Sequence, residues 1–456
     1  MSDIKNYIKV FFVFIAIALN AQNKNNPTFK EGDRIVFIGN SITQDGRYHN
    51  FFHLYNATRF PNEKVAYFNA GIAGDVAGGM LRRFDYDILD RKPTHAFLMA
   101  GMNDVNRFLY SREKPDAKNL KQRKEALNSY MLKTEEIAKR LVENGIKPIF
   151  ITPSIYDQTG RQERNNDFGT NDALAFCAEH IKKMGEKYGA IVVDFHSFME
   201  TINKREQAKE KDFTIVGPDR IHPQDLGHLI MGFEMMKTVS PTTYVSNIVV
   251  NPLKEKVEEA YNAKVVFTNK LEFKVLESAL PFPIENDLSA KANKIAPINR
   301  TINNQFLRIN KLKEGNYTLM IDNVNLGEFT SKVLKTGVNL SDYKATPQYK
   351  QAEKVAEIVN KYHKTQDSLR NITFIEFRML RDYKGEDTFE AKKEFLLAEN
   401  AKAIGKSWHD WNLKNIKKYF TIKPKEDALW KRLKVIRDEI YSTNKPKWHT
   451  YKLIKQ

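Results

Sequence analysis

Cysteine is almost absent: Cys177 is the only one in 456 residues. An intramolecular disulfide is therefore impossible, and a cysteine-rich zinc site is excluded. Cys177 lies in NDALAFCAEHIKKM, a stretch with helical apolar spacing, and reads as a small buried hydrophobe. The chain has no fixed-period repeat and no low-complexity segment, so a repeat architecture is not expected. It also lacks a helix-turn-helix, zinc-finger or RNA-recognition motif. Nucleic acid is thus not an expected partner, although the formal charge is +17. That charge favours encounters with anionic partners such as acidic polysaccharide or anionic lipid. A lysine-rich solvated surface is the plainer account. No apolar run after the first twenty residues is long enough to span a bilayer.

What the chain does contain is ample core material, with 41% hydrophobic and 11% aromatic residues. Its length asks for two or three domains. At the N-terminus, Lys5 and Lys9 precede an apolar run from Val10 to Leu19, then Ala21 and polar QNKNN. This is the layout of a signal peptide over residues 1–21, with cleavage after Ala21. Retention as an anchor is the alternative. The expectation is an exported protein, periplasmic or extracellular, with no transmembrane segment after cleavage.

From residue 30 to 245, strand-like runs alternate with helix-like ones. The strands are RIVFI (34–38), VAYFN (65–69), HAFLMA (95–100), KPIFIT (147–152) and AIVVD (190–194). Helices are expected over 118–144, 171–188 and 223–239. Five short apolar strands separated by helices imply an α/β fold, a parallel five-stranded sheet covered on both faces. Ligands in such sheets bind at the carboxyl ends of the strands. Residues 250–345 read instead as a small β-rich module, with turns at Glu314-Gly315 and Asp322-Asn323. Residues 346–456 read as a charged helical region.

Ser41 follows the first strand in RIVFIGNSITQDG. A serine on a strand-to-helix turn suits a rigidly held nucleophile, and it equally suits a helix N-cap. After the second strand, FNAGIAGD places Gly71 and Gly74 where bare amides could face an oxyanion. After the third, LMAGMND offers the Asn103 side-chain amide. Finally, VGPDRIHPQDLGH puts Asp219 three residues before His222. At that spacing the carboxylate reaches Nδ1, sets the tautomer and leaves Nε2 facing Ser41.

Taken in order, these blocks resemble the SGNH, or GDSL-type, hydrolase family over residues 30–245. The matching residues are Gly39-Asn40-Ser41, Gly74, Gly101-Met102-Asn103-Asp104 and Asp219-Arg220-Ile221-His222. The resemblance implies a flavodoxin-like three-layer α/β/α fold and an open site. It also implies ester hydrolysis by a Ser41–His222–Asp219 triad, with an oxyanion hole at Gly74 and Asn103 and no cofactor. Asn40 departs from the family's usual aspartate: it keeps the shape and a carbonyl acceptor but not the charge.

His49 and His53 are four apart and would share a helix face, but no third ligand accompanies them, so no metal is expected. Arg107 could touch substrate, though a surface charge is the plainer account, and His196 reads as a packing or solvated residue. Trp408 and Trp411, three apart, read as packing against the first domain, with sugar stacking as the alternative. An exported esterase with a large accessory region and no lid-like apolar run leans toward deacetylating a carbohydrate. Its substrate would be a small-molecule or polysaccharide ester. A lipase or lysophospholipase, or a non-catalytic glycan-binding protein on the same scaffold, are the other readings.

Overall fold

The structure is a computed structural model and describes residues 27–111 and 114–456. The expected leader, residues 1–21, lies outside the described residues.

The five apolar runs form strands β1 (Arg34–Gly39), β2 (Ala66–Gly71), β3 (His95–Met99), β4 (Lys147–Ile151) and β5 (Val192–Val193). They pair in parallel in the order β2-β1-β3-β4-β5. This is the flavodoxin-like order, whose switch point lies between β1 and β3. Alternate side chains of β1 enter different cores: Ile35 and Phe37 go to one face, Val36 and Ile38 to the other. Both faces are thus dry, which accounts for continuous apolar strands. After β1 comes the short helix α1 (Ser41–Asp45), then α2 (Arg47–Arg59). On the far side of the sheet lie α3 (Ala117–Glu143) and α4 (Thr170–Tyr188), whose Tyr130, Ile137, Leu174 and Cys177 join the second core. Helices α5 (Phe195–Gln207) and α6 (Asp225–Val239) join α2 on the first face. The three layers are those expected.

The β-rich part contains two sheets. One is four-stranded, built from β6 (Tyr244–Asn251), β7 (Lys256–Tyr261), β10 (Asn304–Ile309) and β13 (Val338–Asn339). The other has five strands in the order β12-β11-β14-β9-β8. Its members are β8 (Ala263–Asn269), β9 (Glu272–Glu277), β11 (Asn316–Ile321), β12 (Val324–Thr330) and β14 (Trp448–Lys455). Ile248, Leu307, Phe273, Leu319 and Tyr451 form the core the two sheets share.

The stretch 346–456, expected to be helical, is so as far as Thr443. It holds α7 (Pro347–Phe374), α8 (Phe389–Ala401), α9 (His409–Ile422) and α10 (Glu426–Thr443). It then ends in β14, the middle strand of the five-stranded sheet. The period is legible afterwards: His449, Tyr451 and Leu453 are buried while Trp448, Lys452 and Ile454 are exposed. Helix α7 docks on the first domain, and its Val355, Val359, Tyr362 and Leu369 belong to the same core as Phe37 and Phe52. Helix α10 reaches that domain through Tyr441, whose hydroxyl accepts from Val65 N at 3.1 Å, while α9 packs on α7 and α8 on α9. Trp408 and Trp411 stay half-exposed, and Trp411 meets Phe374 of α7 edge-on at 5.2 Å instead of packing on the first domain. Among the described residues no helix is long and apolar enough to cross a membrane.

Candidate active site

Asn40, not Ser41, caps α1. Its side-chain oxygen accepts from the Ile42 amide at 3.1 Å. An asparagine serves this purpose as well as an aspartate, because only the carbonyl acceptor is used. Ser41 is left with its hydroxyl free to face elsewhere, and its Oγ lies 2.8 Å from His222 Nε2. The two residues are 181 positions apart in sequence. Ser41 also supplies the first amide of α1, one of the donors a helix cannot satisfy internally.

His222 Nδ1 stands 2.5 Å from Asp219 Oδ2, and Asp219 Oδ1 accepts from the Ile221 and His222 amides at 3.0 and 2.9 Å. Burial would raise the Asp219 carboxyl, but the hydrogen bonds from the His222 ring and from the two amides outweigh it and bring it down to about 2. The turn between them carries Arg220 at φ +68°, an uncommon conformation for a non-glycine residue. Its buried guanidinium compensates by donating to the carbonyls of Asp157, Gly160, Gln162 and Arg164.

Gly74 sits at φ +72° in the loop after β2, and no acceptor among the described residues engages its amide. The loop is tied to the serine turn, since Ile72 N donates to Gly39 O at 3.1 Å. Asn103 Nδ2 donates to Asp75 O at 2.9 Å, which joins the third block to the second and leaves one amide hydrogen over. The neighbouring Asp104 carboxylate accepts from Ala77 N and Gly101 N at 2.7 and 2.9 Å. Burial pushes this carboxyl up to about 6 despite those two donors. The five site residues named from sequence thus stand at one edge of the sheet, with Ser41, His222 and Asp219 in a continuous hydrogen-bonded line.

Several residues that hold this edge carry no sequence signal. Arg83 is fully buried and donates to Asp75 at 2.9 Å, Asp87 at 2.6 Å and Gly39 O at 3.2 Å. Asp87 in turn accepts from Arg370 of α7 at 2.6 and 3.0 Å. Burial alone would raise the Asp87 carboxyl, but the Arg370 and Arg83 guanidiniums hold it well below the usual carboxylate range. Arg370 is 283 residues away from its partner.

The remaining candidates fall outside the site. Arg107 pairs with Asp167 at 2.7 Å and lies over the Phe108 ring, bridging the loops after β3 and β4. His49 stacks on Phe37 and His53 on Tyr67, both buried. Among the described residues no cluster of three or more His, Cys, Asp or Glu could hold a metal ion. His196 is buried, as expected of a packing residue.

Known proteins resemble the chain in sequence and in fold. Residues 37–230 match the GDSL-like Lipase/Acylhydrolase family. An acetylxylan esterase from Geobacillus stearothermophilus is 23% identical over 230 residues, 46% of this chain and 94% of that protein. A solved acetylxylan esterase structure from the same organism covers 47% of this chain and 96% of its own, with 21% identity and a TM-score of 0.37. The structure of a gut microbial diltiazem-metabolizing enzyme covers 95% of this chain and 100% of its own, with 27% identity and a TM-score of 0.83. That last likeness takes in the β-sheets and helices after residue 245 as well as the parallel sheet. With a parallel sheet in flavodoxin-like order and the serine turn at its carboxyl edge, residues 37–230 form a GDSL-like lipase/acylhydrolase domain.

Proposed function

We propose that the protein is an exported serine esterase that removes acetyl groups from a carbohydrate. The observation that carries the reading is the line Ser41 Oγ–His222 Nε2, His222 Nδ1–Asp219 Oδ2, at 2.8 and 2.5 Å. In this reading His222 accepts the Ser41 proton as Oγ attacks the ester carbonyl. Asp219 keeps the ring in the required tautomer and stabilises its cation. The oxyanion is received by the amides of Ser41 and Gly74 and by Asn103 Nδ2. His222 then returns the proton to the leaving alcohol. Water attacks the acyl-enzyme with His222 again as base, releasing the acid and restoring Ser41. Support for acetyl and carbohydrate comes from the acetylxylan esterase among the relatives. Support for export comes from the leader-like residues 1–21.

The test compares the purified protein with its Ser41→Ala variant on p-nitrophenyl acetate, octanoate and palmitate, and on acetylated xylooligosaccharides. Acetate should be turned over fastest, and the variant should lose about 10⁴-fold or more in kcat. Retained turnover in the variant would refute the nucleophile. Preference for palmitate would make the protein a lipase instead.

A further inference from the structure

Strand β2, which leads into the Gly74 loop, is an edge of the parallel sheet. An edge strand presents a row of unpaired backbone groups on alternate residues. Here that row is met by side chains of α7. Tyr362 Oη donates to Tyr67 O at 2.8 Å, Asn69 N donates to Gln366 Oε1 at 2.8 Å, and Arg370 Nε donates to Gly71 O at 3.1 Å. The helix residues are four apart and the strand residues two apart. Four helical residues rise about 6 Å, and two strand residues advance about 6.6 Å. The two elements therefore stay in step for the length of the strand.

The ladder does not stop where the strand stops. Helix α7 runs on into a π-helical turn, Ile375–Met379, and from it Arg378 reaches the loop, with Nη1 donating to Gly74 O at 2.9 Å. The guanidinium nitrogens stand 3.3 Å from where a Cβ on Gly74 would lie. Arg378 is exposed and has no acidic partner among the described residues. From below, Arg370 connects through Asp87 and Arg83 to Asp75, whose carbonyl holds Asn103 Nδ2. Gly71, Gly74 and Asp75 are thus each held, directly or through this chain, by an arginine of α7 or of the π-helical turn that continues it.

We propose that Arg370 and Arg378 are positioning residues of the oxyanion hole, and that α7 is therefore part of the catalytic apparatus and not an accessory. The inference rests on the esterase reading above. Oxyanion donors act only when held within a fraction of an ångström of the developing charge. The two arginines fix the loop's carbonyls, so that the Gly74 amide and the Asn103 side chain keep their aim.

Arg378 is the sharper probe, because an exposed side chain is replaced without threatening the fold. Arg378→Gln and Arg378→Lys would be assayed beside the parent protein on p-nitrophenyl acetate, propionate and butyrate. The Gln variant should lose about tenfold in kcat on all three esters, less than the roughly 10²–10³ of deleting an oxyanion donor. KM and Tm should stay unchanged, and the Lys variant should recover part of the loss. Affinity for a boronic acid that mimics the tetrahedral adduct should weaken by the same factor. Buried Arg370→Lys retains a charge for Asp87 without the second bond to Gly71 O, and should show a similar kcat loss with a lowered Tm. Unchanged kcat in Arg378→Gln, in a protein whose turnover requires Ser41, would overturn this inference alone. So would a rise in KM with kcat intact, which would mark a substrate contact. Turnover that survives Ser41→Ala would overturn both readings together.

Discussion

Mild acid should cost this protein several kcal/mol of stability, because of four histidines packed behind the serine helix. His49 stacks on Phe37 at 4.4 Å, with Nε2 3.1 Å from Thr43 O. His53 stacks on Tyr67 at 4.3 Å, and neither of its ring nitrogens has a hydrogen-bond partner among the described residues. His228 is buried with Nε2 3.2 Å from Asp45, and the His363 ring lies 5.0 Å from that of His49. Burial pushes His49 and His53 down to about 3 and His228 to about 4, and drives His363 well below its ordinary value. In the unfolded chain each titrates near its free value of about 6.5. As pH falls, the unfolded state therefore binds protons first. The stability is complete above about pH 6.5 and is lost on acidification toward the folded values. At pH 5 His49, His53 and His228 each cost about 2 kcal/mol, together about 6 kcal/mol, and His363 adds in the same direction. Asp104 acts in the opposite sense. Its carboxyl, pushed up to about 6, takes a proton in the folded state first and returns about 1 kcal/mol by pH 5. The remaining loss of about 5 kcal/mol is comparable with the whole stability of an ordinary domain, about 5–15 kcal/mol. Urea unfolding followed by circular dichroism at pH 7.5, 6 and 5 measures it directly. His53→Phe keeps a ring against Tyr67 and cannot titrate. It should cost under about 1.5 kcal/mol at pH 7.5 and restore about 2 kcal/mol at pH 5. Stability that stays level from pH 7.5 to 5 would refute the reasoning.

Three further outcomes follow from the site and its support. Asp219→Asn preserves the shape of the turn but presents the wrong hydrogen-bonding partner to His222 Nδ1, and should lower kcat about 10⁴-fold in the p-nitrophenyl acetate assay. Asp87→Asn leaves the buried guanidiniums of Arg83 and Arg370 facing a neutral group and should cost about 3–5 kcal/mol in urea unfolding. Removing Arg370 as well should cost less than the sum of the single losses, since one stranded charge goes with it.

What could be read in the sequence was local. The five strands were legible because each is a short apolar run buried on both faces, and the observed ends differ by a residue or two. The serine turn, the Asn103 block and the Asp219–His222 pair were legible because each compresses its chemistry into a few adjacent residues. The fate of Asn40 was half legible: its retained carbonyl was named, but its use as the cap of α1 needed the fold. Arg83, Asp87 and Arg370 were invisible for a physical reason. Charged residues read as solvated from sequence, and Arg370 meets Asp87, already paired with Arg83, only through tertiary contact across nearly three hundred positions. The same holds for β14, whose alternation spans only eight residues and follows four helices.

The place of β14 bears on how the chain folds. The hairpins β8–β9 and β11–β12 are antiparallel pairs between near neighbours and can form early. Nothing else joins them within their sheet, because β14 lies between, pairing Trp448 with Leu276 on one side and Lys455 with Tyr317 on the other. The sheet therefore stays in two halves, each with a bare inner edge, until the chain has traversed α7 to α10 and come back. Closing a loop of that length delays the reward of pairing. The last slow event in folding is thus expected to be the arrival of residues 448–455, and the interval before it is when two open strands stand ready to pair with another molecule.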